Sequence, residues 1–111
     1  ANDIAMISLE FEDGSIGTIN YLANGGKVFP KERIEIFCDN AVLQLDNFRK
    51  LKGYNWHGFN QMKSLRQKKG QSECVQSFMD SVVNGKPCPI PSDELFEVSK
   101  VSVQIANQLM N

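Results

Sequence analysis

The sequence has few of the residues on which catalytic and metal sites usually depend. It contains one histidine and three widely spaced cysteines, Cys38, Cys74 and Cys88, with no Cys-X-X-Cys or Cys/His spacing. No metal site or disulfide framework is indicated, and free buried thiols in a reducing cytoplasm are expected instead. The short motifs of serine hydrolases, P-loop NTPases, zinc proteases and dinucleotide-binding folds are missing as well.

Low net charge and short hydrophobic runs exclude further classes of protein. The formal net charge of −1 provides no electrostatic argument for a nucleic-acid partner. The apolar runs are far shorter than the ~20 residues of a membrane-spanning helix, so no membrane partner is predicted. With 111 residues, of which 41% are hydrophobic, the chain has the size of one globular domain. We therefore expect a single domain over residues 1–111.

The first half of the chain alternates between apolar and polar residues, as β-strands do. The segments are 4–11, 16–21, 33–37 and 41–46, and a weaker alternation over 48–54 indicates a fifth strand. Asp13-Gly14 and Asp39-Asn40 favour tight turns between neighbouring strands. Because most strands have one apolar and one mixed polar face, we predict a mostly antiparallel sheet of four to five strands that is covered on one side.

The second half predicts two helices. Apolar residues recur at helical spacing over 71–84, and Asn84-Gly85 marks the end of this helix. After a proline-rich connector, Ser92 can cap a second helix whose apolar stripe runs from Leu95 to Leu109. Strands first and helices last predict an α+β fold, a two-layer sandwich in which both carboxy-terminal helices pack on one face of the sheet.

A dense cluster of charged residues lies just before and within the third strand. Its members are Lys27, Lys31, Glu32, Arg33 and Glu35. Lysine and arginine can bind a carboxylate or sugar hydroxyls through charge-assisted hydrogen bonds. The same cluster can also be a salt-bridged strand edge that discourages aggregation, and the residue pattern favours this structural interpretation.

Two other features are weaker candidates for a functional site. His57 has no orienting carboxylate nearby in the sequence, so we expect an exposed or hydrogen-bonded loop histidine. The basic run 63–69 has neither interleaved aromatic residues nor a glycine-rich phosphate loop. It therefore predicts a solvated loop or a frayed helix rather than a nucleic-acid site.

A resemblance to a known family covers nearly the whole chain. The run GTINYLANGGKVFPKERIEIFCDNAVLQLDNFRKL, from Gly17 to Leu51, resembles the carboxy-terminal domain of the Gfo/Idh/MocA family of NAD(P)-dependent dehydrogenases. Lys69-Gly70-Gln71 through Gly85, followed by Pro89-Ile90-Pro91, is similar to the ending of that domain. The resemblance implies an antiparallel sheet with helices on one face and an oligomer interface on the other. It places the substrate between this domain and an amino-terminal Rossmann domain.

The resemblance also implies a role for the chain within a longer polypeptide. We expect the substrate and oligomerisation domain of a cytoplasmic dehydrogenase acting on a sugar or polyol. A start at Ala1 rather than methionine agrees with a segment of a longer polypeptide, and removal of a short leader would explain it equally well. NAD or NADP would bind the missing Rossmann domain, so the segment has no cofactor site and is not expected to be catalytic. The homo-oligomer would form through the polar sheet face, which includes Thr18, Asn20, Glu35 and Gln44.

Three residues are assigned to the substrate side by this resemblance. Lys31, Glu32 and Glu35 match the family's Pro-Lys-Glu-X-Ile-Glu pattern, and they would line the substrate or stabilise the sheet edge. Gln71 stands where relatives commonly have histidine, so no role is assigned to that position, and no catalytic residue is assigned. The alternative is a stand-alone, non-enzymatic binding or assembly module with the same arrangement of strands and helices.

Overall fold

The structure is a computed structural model that describes residues 3–110. Its elements are β1 (Ile4–Glu10), β2 (Ile16–Leu22), β3 (Arg33–Cys38), β4 (Ala41–Asp46), β5 (Lys50–Tyr54), β6 (Gln61–Lys63), α1 (Gln71–Asn84) and α2 (Ser92–Met110). They fall into two compact units. The hairpin–helix unit runs up to Gly25 and resumes at Val75, and the sheet unit comprises Gly26–Cys74.

The hairpin–helix unit begins with an antiparallel pair, β1 and β2, in which Ile7 is opposite Ile19. The turn between the strands is closed by the Phe11 N–H, which donates to the Ser15 carbonyl at 2.9 Å. The Ser15 N–H donates to Asp13 Oδ1, also at 2.9 Å. This bond favours the ionised carboxylate and lowers the pKa of Asp13 below its usual value. The predicted hairpin at Asp13-Gly14 is confirmed.

The sheet unit is an antiparallel meander in the order β3-β4-β5-β6. Alternation sends most aliphatic side chains of the four strands to one face, the apolar face. Cross-strand pairing aligns them in two rows, Ile34–Leu45–Leu51–Met62 and Ile36–Leu43–Gly53. The strands of this unit therefore carry the amphipathic pattern that the sequence predicts.

The opposite side of the same sheet, the polar face, has three rows. They are Arg33–Asp46–Lys50–Lys63, Glu35–Gln44–Lys52–Gln61 and Phe37–Val42–Tyr54. The first two rows are charged or polar, whereas the third is aromatic and aliphatic. Lys52 Nζ lies 4.6 Å from the centre of the Tyr54 ring, within cation–π range, and so joins the second row to the third.

Two loops meet at one end of this sheet, which we call the Asp39 end. The β3–β4 turn has Asp39 and Asn40 at φ 46° and 64°, the left-handed conformation that Asp and Asn tolerate in tight hairpins. Asn55 Nδ2 donates to the Asn40 carbonyl at 2.9 Å, which links the β5–β6 loop to this turn. That loop folds back over Gly53, where an added Cβ would lie 2.8 Å from Phe59 Cδ1 and 3.0 Å from the Phe59 carbonyl oxygen.

Both helices have the boundaries that their sequence signals predict. Beyond α1, Gly85 adopts φ 63° and the Lys86 N–H donates to the Ser81 carbonyl at 2.9 Å. This is the bond of a Schellman motif, in which a left-handed residue ends the helix. At the start of α2 the Leu95 N–H donates to the Pro91 carbonyl at 3.2 Å, so the helix begins at Ser92, directly after the proline.

Large apolar side chains remain accessible in both units. Among residues 3–110, Ala5 is the only hydrophobic residue classed as buried. On the apolar face Ile34 is 46% and Met62 is 62% exposed, and Phe78 on α1 is 54% exposed. Contiguous apolar surface of this kind is typical of proteins that bury it against another chain or domain.

The predicted α+β class with antiparallel strands is confirmed, including the fifth strand over 48–54, which the structure has at Lys50–Tyr54. The strands form two sheets, of two and four strands, instead of one. Strand β6 was not predicted, since three residues are too few for alternation to be recognised. The packing of the helices on a sheet face, and the single domain, stay predictions.

Candidate functional site

The candidate site lies at the end of the four-stranded sheet opposite the Asp39 end, which we call the Asn47 end. It is built on the β4–β5 turn, where Asn47 and Phe48 have φ 50° and 52° and the Arg49 N–H donates to the Asp46 carbonyl at 3.0 Å. Asparagine tolerates this left-handed conformation, but a bulky residue such as phenylalanine adopts it rarely. Such strain persists where surrounding contacts hold the backbone in place.

The basic run that follows β6 supplies those contacts. The Ser64 N–H donates to the Arg49 carbonyl at 2.7 Å, and the Lys68 N–H donates to the Phe48 carbonyl at 2.8 Å. Gln67 Nε2 donates to Asn47 Oδ1 at 2.7 Å. The predicted solvated loop is confirmed over 64–69, which has no helix or strand and is mostly exposed, whereas Lys63 belongs to β6.

An ion pair between Lys69 and Glu32 adds to the contacts of the basic run. Lys69 Nζ donates to Glu32 Oε1 at 2.8 Å and lies 5.5 Å from the centre of the Phe48 ring. Each side chain of the pair is 37% exposed, so water screens the pair only in part. The Glu32 carbonyl also accepts from the Asn47 N–H at 2.7 Å. Glu32, a predicted substrate-side residue, therefore holds the start of β3 against the turn.

The other two predicted substrate-side residues lie nearby in different surroundings. Glu35 is on the polar face, where its Oε1 accepts from Arg33 Nε at 2.9 Å. Arg33 Nε is also 3.7 Å from Asp46 Oδ1, so the salt-bridged strand edge considered in the sequence is present. Lys31 is exposed in the loop before β3. The structure thus places Lys31, Glu32 and Glu35 close in sequence but with separate contacts, and their substrate role stays a prediction.

A groove of about 570 Å³ opens beside the turn. Its lining residues all belong to the sheet unit and are Pro30, Asp46, Asn47, Arg49, Lys50, Lys63, Ser64 and Leu65. Three of the eight are basic and one is acidic, so the groove favours negatively charged groups. Sequence reasoning missed Arg49 and Lys50. The alternation over 48–54 places Lys50 and Lys52 on one face, but only the pairing with β6 brings Lys63 beside them.

The histidine and the cysteines lie outside this groove. His57 is exposed in the β5–β6 loop, as predicted. Cys38, Cys74 and Cys88 are free but exposed, so the prediction that they are buried is wrong. Cys38 ends the edge strand β3, Cys74 is in the first turn of α1, and Cys88 is in the proline-rich connector. Within residues 3–110 no group of His, Cys, Asp and Glu side chains is arranged to hold a metal ion.

The chain matches no family model, no curated protein and no solved structure. No helix in the described part of the chain is long and apolar enough to cross a membrane.

Proposed function

We propose that the chain is the carboxy-terminal domain of a cytoplasmic NAD(P)-dependent oxidoreductase of the Gfo/Idh/MocA type, acting on a sugar or polyol. In this proposal the chain supplies substrate-side contacts and an oligomerisation surface. NAD or NADP binds a separate Rossmann domain, where hydride transfer takes place. The proposal rests on the sequence resemblance, and one structural observation on the polar face supports it.

That observation is the row Phe37–Val42–Tyr54, whose two aromatic residues are exposed and whose valine is half-buried. Phe37 is an aromatic residue on the same face as the charged residues Arg33 and Glu35, and it is 73% exposed. An aromatic and aliphatic strip bordered by polar residues has the composition of a protein–protein interface, whose centre is enriched in aromatic residues and whose rim is polar. A surface of this composition suits the homo-oligomer that the resemblance implies for the polar face.

The substrate-side contribution would come from the loop before β3 and from the first residues of that strand. Lys31 is exposed there and free to reach a bound molecule, whereas Glu32 and Glu35 hold the strand through Lys69 and Arg33. An ammonium group can hydrogen-bond sugar hydroxyls or a carboxylate. In the proposal Lys31 contacts the substrate and the two glutamates position the backbone.

A stand-alone assembly module is the second candidate, because the same exposed row would also serve a protein without enzymatic activity. The two candidate functions differ in whether the complete gene product reduces a nicotinamide cofactor. A dehydrogenase reduces NAD or NADP in the presence of sugars or polyols, which absorbance of the reduced cofactor detects. An assembly module produces no such signal.

The interface can be tested in sedimentation equilibrium. The chain is expected to self-associate, and Phe37→Ser is expected to raise the dissociation constant about 30-fold, the effect of losing a ~2 kcal/mol hot spot. Val28→Ser, at a fully exposed position in the loop before β3, is the control and should leave association unchanged. A monomeric wild-type chain would contradict the proposed interface. Tight binding of NADH to the isolated chain would contradict the proposed division between domains.

A further inference from the structure

The first row of the polar face contains a pair of like charges on neighbouring strands. In the row Arg33–Asp46–Lys50–Lys63, Lys50 is directly opposite Lys63. The acid of the row, Asp46, is directly opposite Lys50 on the other side and lies 3.7 Å from Arg33, so Lys63 has no acidic neighbour in the row. Within residues 3–110 neither ammonium group has a hydrogen bond or an ion pair. Like charges directly opposite on neighbouring strands destabilise a sheet, so a negative charge bound between Lys50 and Lys63 would stabilise this part of the row.

The groove at the Asn47 end lies where that charge would be placed. Lys50 and Lys63 both line it, together with Arg49 and Ser64. Lys50 is half-buried at the centre of the row, whereas Arg49 is exposed. Ammonium, guanidinium and hydroxyl groups are the donors that proteins use for phosphate and carboxylate oxygens.

We propose that this groove binds a small organic anion through a phosphate or carboxylate group placed between Lys50 and Lys63. Arg49 and Ser64 provide further hydrogen-bond donors. The groove also has two apolar walls, Pro30 and Leu65, against which the remainder of such a ligand can lie. The proposed site consists of the cross-strand lysine pair and the groove that it lines. It therefore does not depend on whether the chain belongs to a dehydrogenase.

The backbone around this site is held before any ligand binds. The Ser64 N–H is bonded to the Arg49 carbonyl, and the run beyond it is bonded to the turn through Lys68 and Gln67. Two strands and a braced turn therefore fix the spacing of the backbone positions that carry the basic side chains. A preorganised site loses little conformational entropy on binding, which favours a specific site over loose attraction of ions to a surface.

The test is a titration of the full chain at low ionic strength, with inorganic phosphate and phenyl phosphate as probes and amide chemical shifts as the readout. Saturable shifts are expected at Lys50, Lys63 and Ser64. Phenyl phosphate is expected to bind several-fold more tightly than phosphate because of Pro30 and Leu65. Lys63→Gln should weaken binding of both about tenfold, the loss of one charge-assisted contact. Lys27→Gln removes an exposed lysine of the same unit that does not line the groove, and it should change nothing.

Thermal unfolding provides a second measurement, in which the substitution that weakens anion binding is expected to stabilise the anion-free protein. Without anion, Lys63→Gln is expected to raise the midpoint of unfolding because it removes the repulsion from Lys50. With phosphate present, the midpoint should rise more for the wild type than for the variant at the same phosphate concentration. Lys50→Gln should weaken anion binding to a similar extent, and it replaces Lys63→Gln in the titration if that variant does not fold. The proposal is wrong if neither probe saturates, if Lys27→Gln weakens binding equally, or if Lys63→Gln has a lower midpoint without anion.

Discussion

The two ends of the four-stranded sheet each have a left-handed turn, and different contacts surround the two turns. Each end has a two-residue turn in the left-handed conformation, at Asp39 and Asn40 on one side and at Asn47 and Phe48 on the other. At the Asp39 end the β5–β6 loop covers Gly53 with aromatic side chains. At the Asn47 end the basic run braces the turn with hydrogen bonds and an ion pair, and it leaves a groove open.

The difference shows which end is suited to bind a ligand. Aromatic packing at the Asp39 end fills the space over the sheet, so a ligand has no room against the Gly53 backbone. At the Asn47 end the bracing contacts run beside the turn and leave the side chains of Arg49, Lys50 and Lys63 facing solvent. Polar bracing keeps the backbone in place without filling the site, which is what a preorganised binding site needs.

The largest effect is expected at the Asp39 end, from Gly53→Ala. The new Cβ would lie 2.8 Å from Phe59 Cδ1 and 3.0 Å from both the Phe59 carbonyl oxygen and Trp56 Cβ. Since backbone as well as side chain obstructs it, the loop must move, and we expect a loss of about 1–3 kcal/mol in the free energy of unfolding. Chemical denaturation measures this loss.

The control for that substitution is Gly26→Ala, whose Cβ would have no neighbour within 4 Å and whose effect should be close to zero. If Gly53→Ala is equally harmless, the aromatic cover of the Asp39 end is looser than the structure shows. Adding Phe59→Ala to Gly53→Ala should recover only part of the loss, because the Phe59 carbonyl remains in the way.

A matched pair of substitutions compares the two turns directly. Asn40→Ala and Asn47→Ala each place alanine in the left-handed region, which we expect to cost about 1 kcal/mol. Asn47→Ala also removes the acceptor for Gln67, so its loss should be larger by about 0.5 kcal/mol. Because glycine adopts the left-handed conformation without strain, Asn47→Gly should lose only the stability that the Gln67 hydrogen bond contributes. Equal losses for the two alanine variants would mean that the Gln67 bond does not brace the turn.

The smallest effect is expected from the ion pair at the Asn47 end. A double-mutant cycle with Glu32→Gln and Lys69→Met should give a coupling energy of about 0.5–1 kcal/mol, since both side chains are partly exposed. The coupling should decrease in high salt, whereas the loss caused by Gly53→Ala should not. A coupling near zero would show that the backbone hydrogen bonds of Ser64 and Lys68 hold the basic run without help from Glu32.

Much of the fold can be predicted from residue patterns because these elements depend on local signals. The β3–β4 turn follows from Asp39-Asn40, and the end of α1 follows from Asn84-Gly85. The candidate site is different, because its residues come together through pairings that alternation does not show. Lys50 and Lys63 are neighbours only because a three-residue strand pairs with β5. Glu32 and Lys69 are far apart in sequence, and nothing local indicates their ion pair.

The sequence by itself determines which residues form strands, turns and helices, and it gives each strand of the sheet unit an apolar and a polar face. Period-two alternation and turn residues act over a few positions, so they can be recognised without a partner strand. Only the tertiary structure decided that the strands form two sheets and that the basic run braces the β4–β5 turn. It also decided that three basic side chains share one groove. The physical reason is that strand pairing and ion pairs join residues distant in sequence, and their partners are selected by geometry in space.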